Sequence, residues 1–164
     1  MLHLARLHLE KILYTIFENE AIVKYLVEHG ADVNKARSDG DTPLFNACWK
    51  KNEAIVKYLV KHGANVNKEN NNGETPLFNA CKEGNEAIIK YLVEHGANVN
   101  KENNSSGTPL FYACWRNKET MVKYLVEHGA DVNKTNILGE TPLSIACKHK
   151  NKIIIKYLIE HGAQ

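Results

Sequence analysis

Two ladders of chemically capable side chains run through this chain. Cys48, Cys81, Cys114 and Cys147 fall 33 residues apart, and His29, His62, His95, His128 and His161 keep the same step. Thiols and imidazoles hold zinc, and thiols exchange disulfides, so metal or redox chemistry is the first reading such ladders invite. Whether they can act together depends on how the chain positions them.

The step belongs to more than Cys and His. Thr-Pro-Leu recurs at 42–44, 75–77, 108–110 and 141–143, and Lys-Tyr-Leu begins at Lys24, Lys57, Lys90, Lys123 and Lys156. A fixed period of this length marks a stack of similar units. Within one unit, Thr42 is placed as an N-cap with Pro43 at the first helical position. Leu44, Ala47 and Cys48 then form a narrow face of small residues. Asn52 is placed as a second N-cap, followed by Glu53 at the positive helix end and by a Glu53–Lys57 pair at i, i+4. Ile55, Val56, Leu59 and Val60 make an apolar stripe that ends at Gly63, a residue suited to the C′ position. A turn-rich connector then leads to the next unit and reads as hairpin-like. Helices of about 9–10 residues are too short to persist alone. Each must bury its stripe on the next copy, which makes the molecule a quasi-one-dimensional solenoid.

That spacing answers the first question. Equivalent residues of stacked units lie about 8–10 Å apart. A disulfide needs Cα atoms within about 7 Å, and ligands sharing one zinc each sit about 2.3 Å from it. The cysteines therefore read as small buried hydrophobes. The histidines, each just before the helix-ending glycine, read as side chains that bond terminal carbonyls. His149 stands apart on the inner helix of the last unit. No nucleophile elbow, phosphate-cradling glycine loop or His-Glu-x-x-His helix occurs, so no enzyme and no cofactor are expected.

Composition agrees with a single domain. The chain has 164 residues, is 43% hydrophobic and carries a formal charge of +2. Its pI of about 8.3 gives no global drive toward nucleic acid. No apolar run reaches the roughly 18 residues of a membrane span, and an intracellular, cytoplasmic setting is expected for four cysteines without a secretory signal. The apolar N-terminus is interrupted by Glu10 and Lys11, and Leu9, Ile12, Leu13, Ile16 and Phe17, extended backwards by Leu2 and Ala5, fit one helical stripe instead. The triplets at Asn103, Asn104 and Asn133 match a glycosylation pattern, which without a secretory signal reads as chance.

Gly-Asp-Thr-Pro-Leu-Phe-Asn-Ala-Cys (40–48), Ile-Val-Lys-Tyr-Leu-Val (55–60) and His-Gly-Ala-Asn-Val-Asn (62–67) resemble an ankyrin repeat, and the resemblance spans about residues 19–164. It implies an all-α fold, helix pairs with short β-hairpin loops, in a solenoid of about five repeats. The first, 1–35, is an atypical N-terminal cap; internal repeats cover 36–68, 69–101 and 102–134, and a C-terminal repeat covers 135–164. The family's usual work, protein binding through hairpin tips and a concave inner-helix surface, is what the resemblance implies here. Departures are visible. The family's common His after Thr-Pro-Leu is Phe45, Phe78, Phe111 and Ser144, which removes the usual Thr–His hydrogen bond. Gly107 sits one place later than Gly40, Gly73 and Gly139, with Ser106 in the turn slot, so a differently shaped hairpin is expected there.

Positions that differ among the units point to recognition. On the inner helices these are Asn46, Trp49 and Lys50, Asn79, Lys82 and Glu83, Tyr112, Trp115 and Arg116, and Ile145, Lys148 and His149. At the turns they include Ser38, Asp39 and Asp41, Asn71, Asn72 and Glu74, Asn104 and Ser105, and Ile137, Leu138 and Glu140. Trp, Tyr and Arg are the residues enriched at binding hot spots. The expectation is a basic, aromatic-studded inner face with a more acidic tip edge, and at Ile137 and Leu138 either an apolar finger or merely cover for the terminal repeat. It would take a protein or peptide partner rather than nucleic acid or membrane. The chain itself would be a monomer, with weak self-association confined to its ends, where the apolar run 153–155 lacks a polar cover. A structural or engineered scaffold without a dedicated partner is the alternative.

Overall fold

In the computed structural model, which describes residues 19–164, helix pairs follow one another at the sequence period. The helices are α1 (Glu20–Glu28), α2 (Pro43–Trp49), α3 (Glu53–Lys61), α4 (Pro76–Glu83), α5 (Glu86–Glu94), α6 (Pro109–Trp115), α7 (Glu119–Glu127), α8 (Pro142–Lys148) and α9 (Lys152–Glu160). The helical stripe expected over residues 2–17 lies outside the described residues. The even-numbered helices form one row, each packed on its neighbours, and the odd-numbered helices form a second row behind it.

Local chemistry sets the helix limits. The side chains of Asn52 and Asn85 accept hydrogen bonds from the N–H of Ile55 and Ile88, both at 3.1 Å. Lys118 stands in the same place before α7 and supplies no such cap. Gly63 closes α3 with φ of +85°, a backbone region that a Cβ disfavours. The stripes are buried as the spacing requires: Ile55, Val56 and Leu59 are sealed, as are Ile88, Ile89 and Leu92. An ion pair at i, i+4 forms between Glu20 and Lys24 at 2.6 Å. Lys57, expected to pair with Glu53, instead holds its ammonium 6.0 Å from the Tyr91 ring centroid in the next repeat.

The two ladders take structural roles. Each ladder histidine points Nδ1 at the carbonyl four residues back, from His29 to Tyr25 at 2.7 Å through His161 to Tyr157 at 2.8 Å. A carbonyl only accepts, so Nδ1 carries the proton in each. The cysteines are free; Cys48, Cys81 and Cys114 are buried between inner helices. Burial pushes their thiols up, that of Cys114 to about 12. Cys147 departs from the expectation of a buried hydrophobe. It is exposed, because α8 has an inner helix on one side only.

Asparagines join the repeats. Asn34 Nδ2 donates to the Gly63 carbonyl at 2.8 Å while its Oδ1 accepts from Asn65 N at 2.7 Å. Asn67, Asn100 and Asn133 repeat both bonds one unit on. The connectors do turn back on themselves, Asn70 N bonding Glu74 O at 2.9 Å and Gly73 N bonding Asn70 O at 3.0 Å. One such rung is too short to build a strand, and no strand occurs among the described residues.

Two local expectations are corrected. Ser106 adopts the left-handed conformation itself, with φ of +55°, and the third hairpin keeps the bonds of the others, Asn103 N to Gly107 O at 3.0 Å and Ser106 N to Asn103 O at 2.9 Å. Its shape is therefore that of its siblings. Thr42, Thr75 and Thr108 occupy N-cap positions, yet their buried hydroxyls bond nothing. The N–H that a Thr75 cap would take, that of Phe78, goes to the Thr75 carbonyl at 2.9 Å. Only Thr141, with Ser144 three residues on, forms a reciprocal capping box.

Candidate functional site

The inner helices start straight from the hairpins, so a hairpin residue and an inner-helix residue eight positions later face the same way. That relation organises the surface. Counting from the first internal repeat, 36–68, so that 69–101 is the second, 102–134 the third and 135–164 the fourth, Lys82 Nζ of the second repeat donates to both Glu74 carboxylate oxygens at 2.7 and 2.8 Å. In the fourth, Lys148 Nζ donates to Glu140. In the first repeat the two positions hold Asp41 and Trp49, and in the third Gly107 and Trp115.

Lysine–carboxylate pairs thus alternate with tryptophans. Trp49 and Trp115 are 56% and 55% exposed, unusually open for their size. Each carries a cation beside its ring: Lys50 Nζ lies 4.7 Å from the Trp49 centroid, and the Arg116 guanidinium 6.0 Å from that of Trp115.

Glu74 is only 6% exposed, so it does not belong to an acidic tip edge. It anchors a network instead. Tyr112 OH donates to its Oε1 at 3.2 Å, Asn103 Nδ2 approaches Tyr112 OH at 3.3 Å, and Lys82 Nζ sits 4.9 Å from the Tyr112 ring centroid. Burial first, and then the Glu74 charge, push the Tyr112 phenol up to about 12. Glu140 is only partly buried, but it is paired in the same way, and the hydrogen bond from Lys148 holds its carboxyl below the ordinary range. Asp41, in the same slot without a lysine, is shifted the opposite way by burial, although Asn70 Nδ2 donates to it at 2.9 Å. The expected contrast between a basic groove and an acidic edge is therefore cancelled in the second and fourth repeats. The hairpin and helix charges neutralise each other across the junction.

Other expected positions divide the same way. Asn46 is buried rather than exposed. Glu83 pairs with Lys51 of the preceding repeat at 3.3 Å. Asn71 Nδ2 donates to Ser38 O at 2.8 Å and Asn104 Nδ2 to Asn71 O at 3.0 Å, so these side chains stitch tip to tip. Ser105 O accepts from Ile137 N at 3.1 Å in the same stitching. Asp39 accepts from Asp41 N at 3.0 Å and pairs with Arg37 at 3.6 Å. Asn72 is exposed at its tip, and His149 is exposed where α8 ends. Ile137 and Leu138 project from the last hairpin, 69% and 77% exposed.

Sequence reasoning missed one feature. A cleft of about 270 Å³ opens between the third hairpin, α6 and α8, lined by Asn103, Ser105, Gly107, Phe111, Tyr112, Trp115, Asn136 and Ile145. The available signal was Gly107 itself, which occupies the slot of Asp41, Glu74 and Glu140 and leaves that space unfilled.

Among the described residues, no group of three or more His, Cys, Asp or Glu side chains is placed to hold a metal ion, and no helix is long and apolar enough to cross a membrane. Models of ankyrin repeats in three copies match residues 9–70 and 65–136, and a model of many copies matches 116–159. The chain belongs to the ankyrin repeat family. Ankyrin repeats serve in general as protein–protein interaction modules, typically without enzymatic activity. Among curated proteins, none matches this ankyrin chain.

Proposed function

We propose that this chain is a non-enzymatic interaction module that binds a protein or peptide partner through the concave inner-helix face and the adjoining hairpin tips, without a cofactor. The observation that carries the reading is the pair Trp49 and Trp115. Two large aromatic side chains stand more than half exposed at equivalent positions of repeats whose helix stripes are sealed, whereas the other exposed large apolar side chains lie in the first helix (Tyr25), the last hairpin (Ile137, Leu138) and the last helix (Ile153, Ile159). By the helix spacing they lie about 20 Å apart, a distance that one partner surface can bridge. Lys50, Arg116, Tyr112 and His149 flank them, and the tips from Ser38 to Asp41 and at Asn72, Ile137 and Leu138 extend the surface.

The pairing of Lys82 with Glu74 and of Lys148 with Glu140 supports a protein partner over nucleic acid, whose phosphates call for cations free to meet them. The test compares wild type with the double variant Trp49→Ala/Trp115→Ala in pull-downs read by mass spectrometry. Proteins held by wild type and lost by the variant support this face. An identical set held by both, or nothing held specifically by either, counts against it, and the second result favours a structural scaffold.

A further inference from the structure

We propose that the cleft beside Gly107 seats one bulky apolar side chain of an acidic peptide segment in a partner protein. This rests on the protein-binding reading above and narrows it to one position and one partner chemistry.

Size comes first. At about 270 Å³ the cleft stands at the lower end of the roughly 300–1,000 Å³ of binding pockets, with room for one bulky side chain. Its origin is specific to the third repeat. Where Glu74 and Glu140 reach a lysine, Gly107 has no side chain and Trp115 replaces the lysine, so an apolar wall stands where a closed ion pair would be. Phe111, Trp115, Ile145 and the ring of Tyr112 face the space, while Ser105 and Asn136 line its polar side. Buried aromatic walls with a polar rim are the environment in which one anchor residue carries most of a binding energy.

Charge identifies the segment around the anchor. Arg116 lies beside the Trp115 ring, and among the described residues it joins no ion pair. In the next repeat Lys150 is exposed and joins no ion pair among the described residues, whereas Glu140, the acid of the adjoining hairpin, is already held by Lys148. The cations left over at this rim complement Asp and Glu flanking the anchor.

Selection of random dodecapeptides on the full chain, followed by titration of the winners, tests the proposal. The recovered sequences should share a Phe, Tyr, Trp or Leu flanked by Asp or Glu. Gly107→Leu should weaken them at least tenfold by filling the cleft. The backbone there is not left-handed, and an added Cβ meets Asn103 Oδ1 at an ordinary 3.4 Å, so the variant should keep its Tm. Arg116→Glu, on an exposed position, should weaken them at least threefold independently of that variant's folding.

Basic or anchorless winners, no winners at all, or affinities indifferent to both variants overturn the proposal. Winners that ignore Gly107→Leu and Arg116→Glu but are lost on Trp49→Ala overturn it while leaving the broader protein-binding reading intact. A dimer of the free chain in sedimentation that Gly107→Leu abolishes would give the cleft to a second copy, which overturns it too.

Discussion

The second and third repeats share a backbone and differ in what they do with one pair of positions. In the second, Glu74 and Lys82 close on each other and draw in Tyr112 and Asn103. In the third, Gly107 and Trp115 leave a cleft and an exposed indole. The first and fourth repeat the contrast, Asp41 with Trp49 against Glu140 with Lys148. A solenoid needs its stripes, caps and asparagine bridges constant so that neighbours stack. The hairpin-to-helix pair lies outside that requirement, and so it can be either satisfied internally or left open toward a partner.

Breaking the shared scaffold should cost most. Phe78→Ala empties a sealed position and should destabilise by about 3–5 kcal/mol in chemical denaturation. Trp115→Ala, on the open face, should change stability by less than about 1 kcal/mol. Equal losses would mean that the tryptophan is a packing residue. Next comes the closed pair. Glu74→Leu strands Lys82 and the Tyr112 hydroxyl and should cost about 1–3 kcal/mol, measured as a fall in the unfolding free energy at pH 7.

The same slot should give opposite pH responses. Glu140 is held below its ordinary value, so its contribution is complete above the ordinary carboxylate range and disappears as pH falls through the depressed pKa. Glu140→Gln should therefore lower the Tm at pH 7 and match wild type in strong acid. Asp41 is raised, chiefly by burial, so its ionised form is a liability that grows as pH rises from the ordinary value through the raised one. Asp41→Asn should raise the Tm at pH 7, and the gain should vanish below the ordinary value. The same sign for both substitutions would remove the distinction between closed and open repeats. A smaller effect separates the caps: Thr75→Val removes an unpartnered hydroxyl and should stabilise by about 1 kcal/mol, whereas Thr141→Val breaks a capping box and should cost a similar amount.

Much of this is readable in the sequence, because it depends on local chemistry repeated at a fixed step. Asn52 and Gly63 delimit a helix by capping, His62 by its reach to a carbonyl, and the cysteines by the distance between stacked helices. What escaped depends on how segments meet. Glu74 and Lys82, read along the chain, fall into an acidic tip and a basic groove; the fold places them in one ion pair. Thr75 has the right residue type and a proline after it, but the N–H of Phe78 goes to the Thr75 carbonyl and leaves the hydroxyl idle. Ser106 shows that a left-handed turn tolerates a residue other than glycine, which frees Gly107 to open the cleft.

The distinction between open and closed repeats is tested most directly by titrating one captured partner against two double variants. Trp49→Ala/Trp115→Ala should lose about 1,000-fold in affinity, at roughly 2 kcal/mol for each anchor, and Lys82→Gln/Lys148→Gln should lose less than about threefold, as expected of positions that are not hot spots. A partner that tolerates the tryptophan variant and fails on the lysine variant would contradict it.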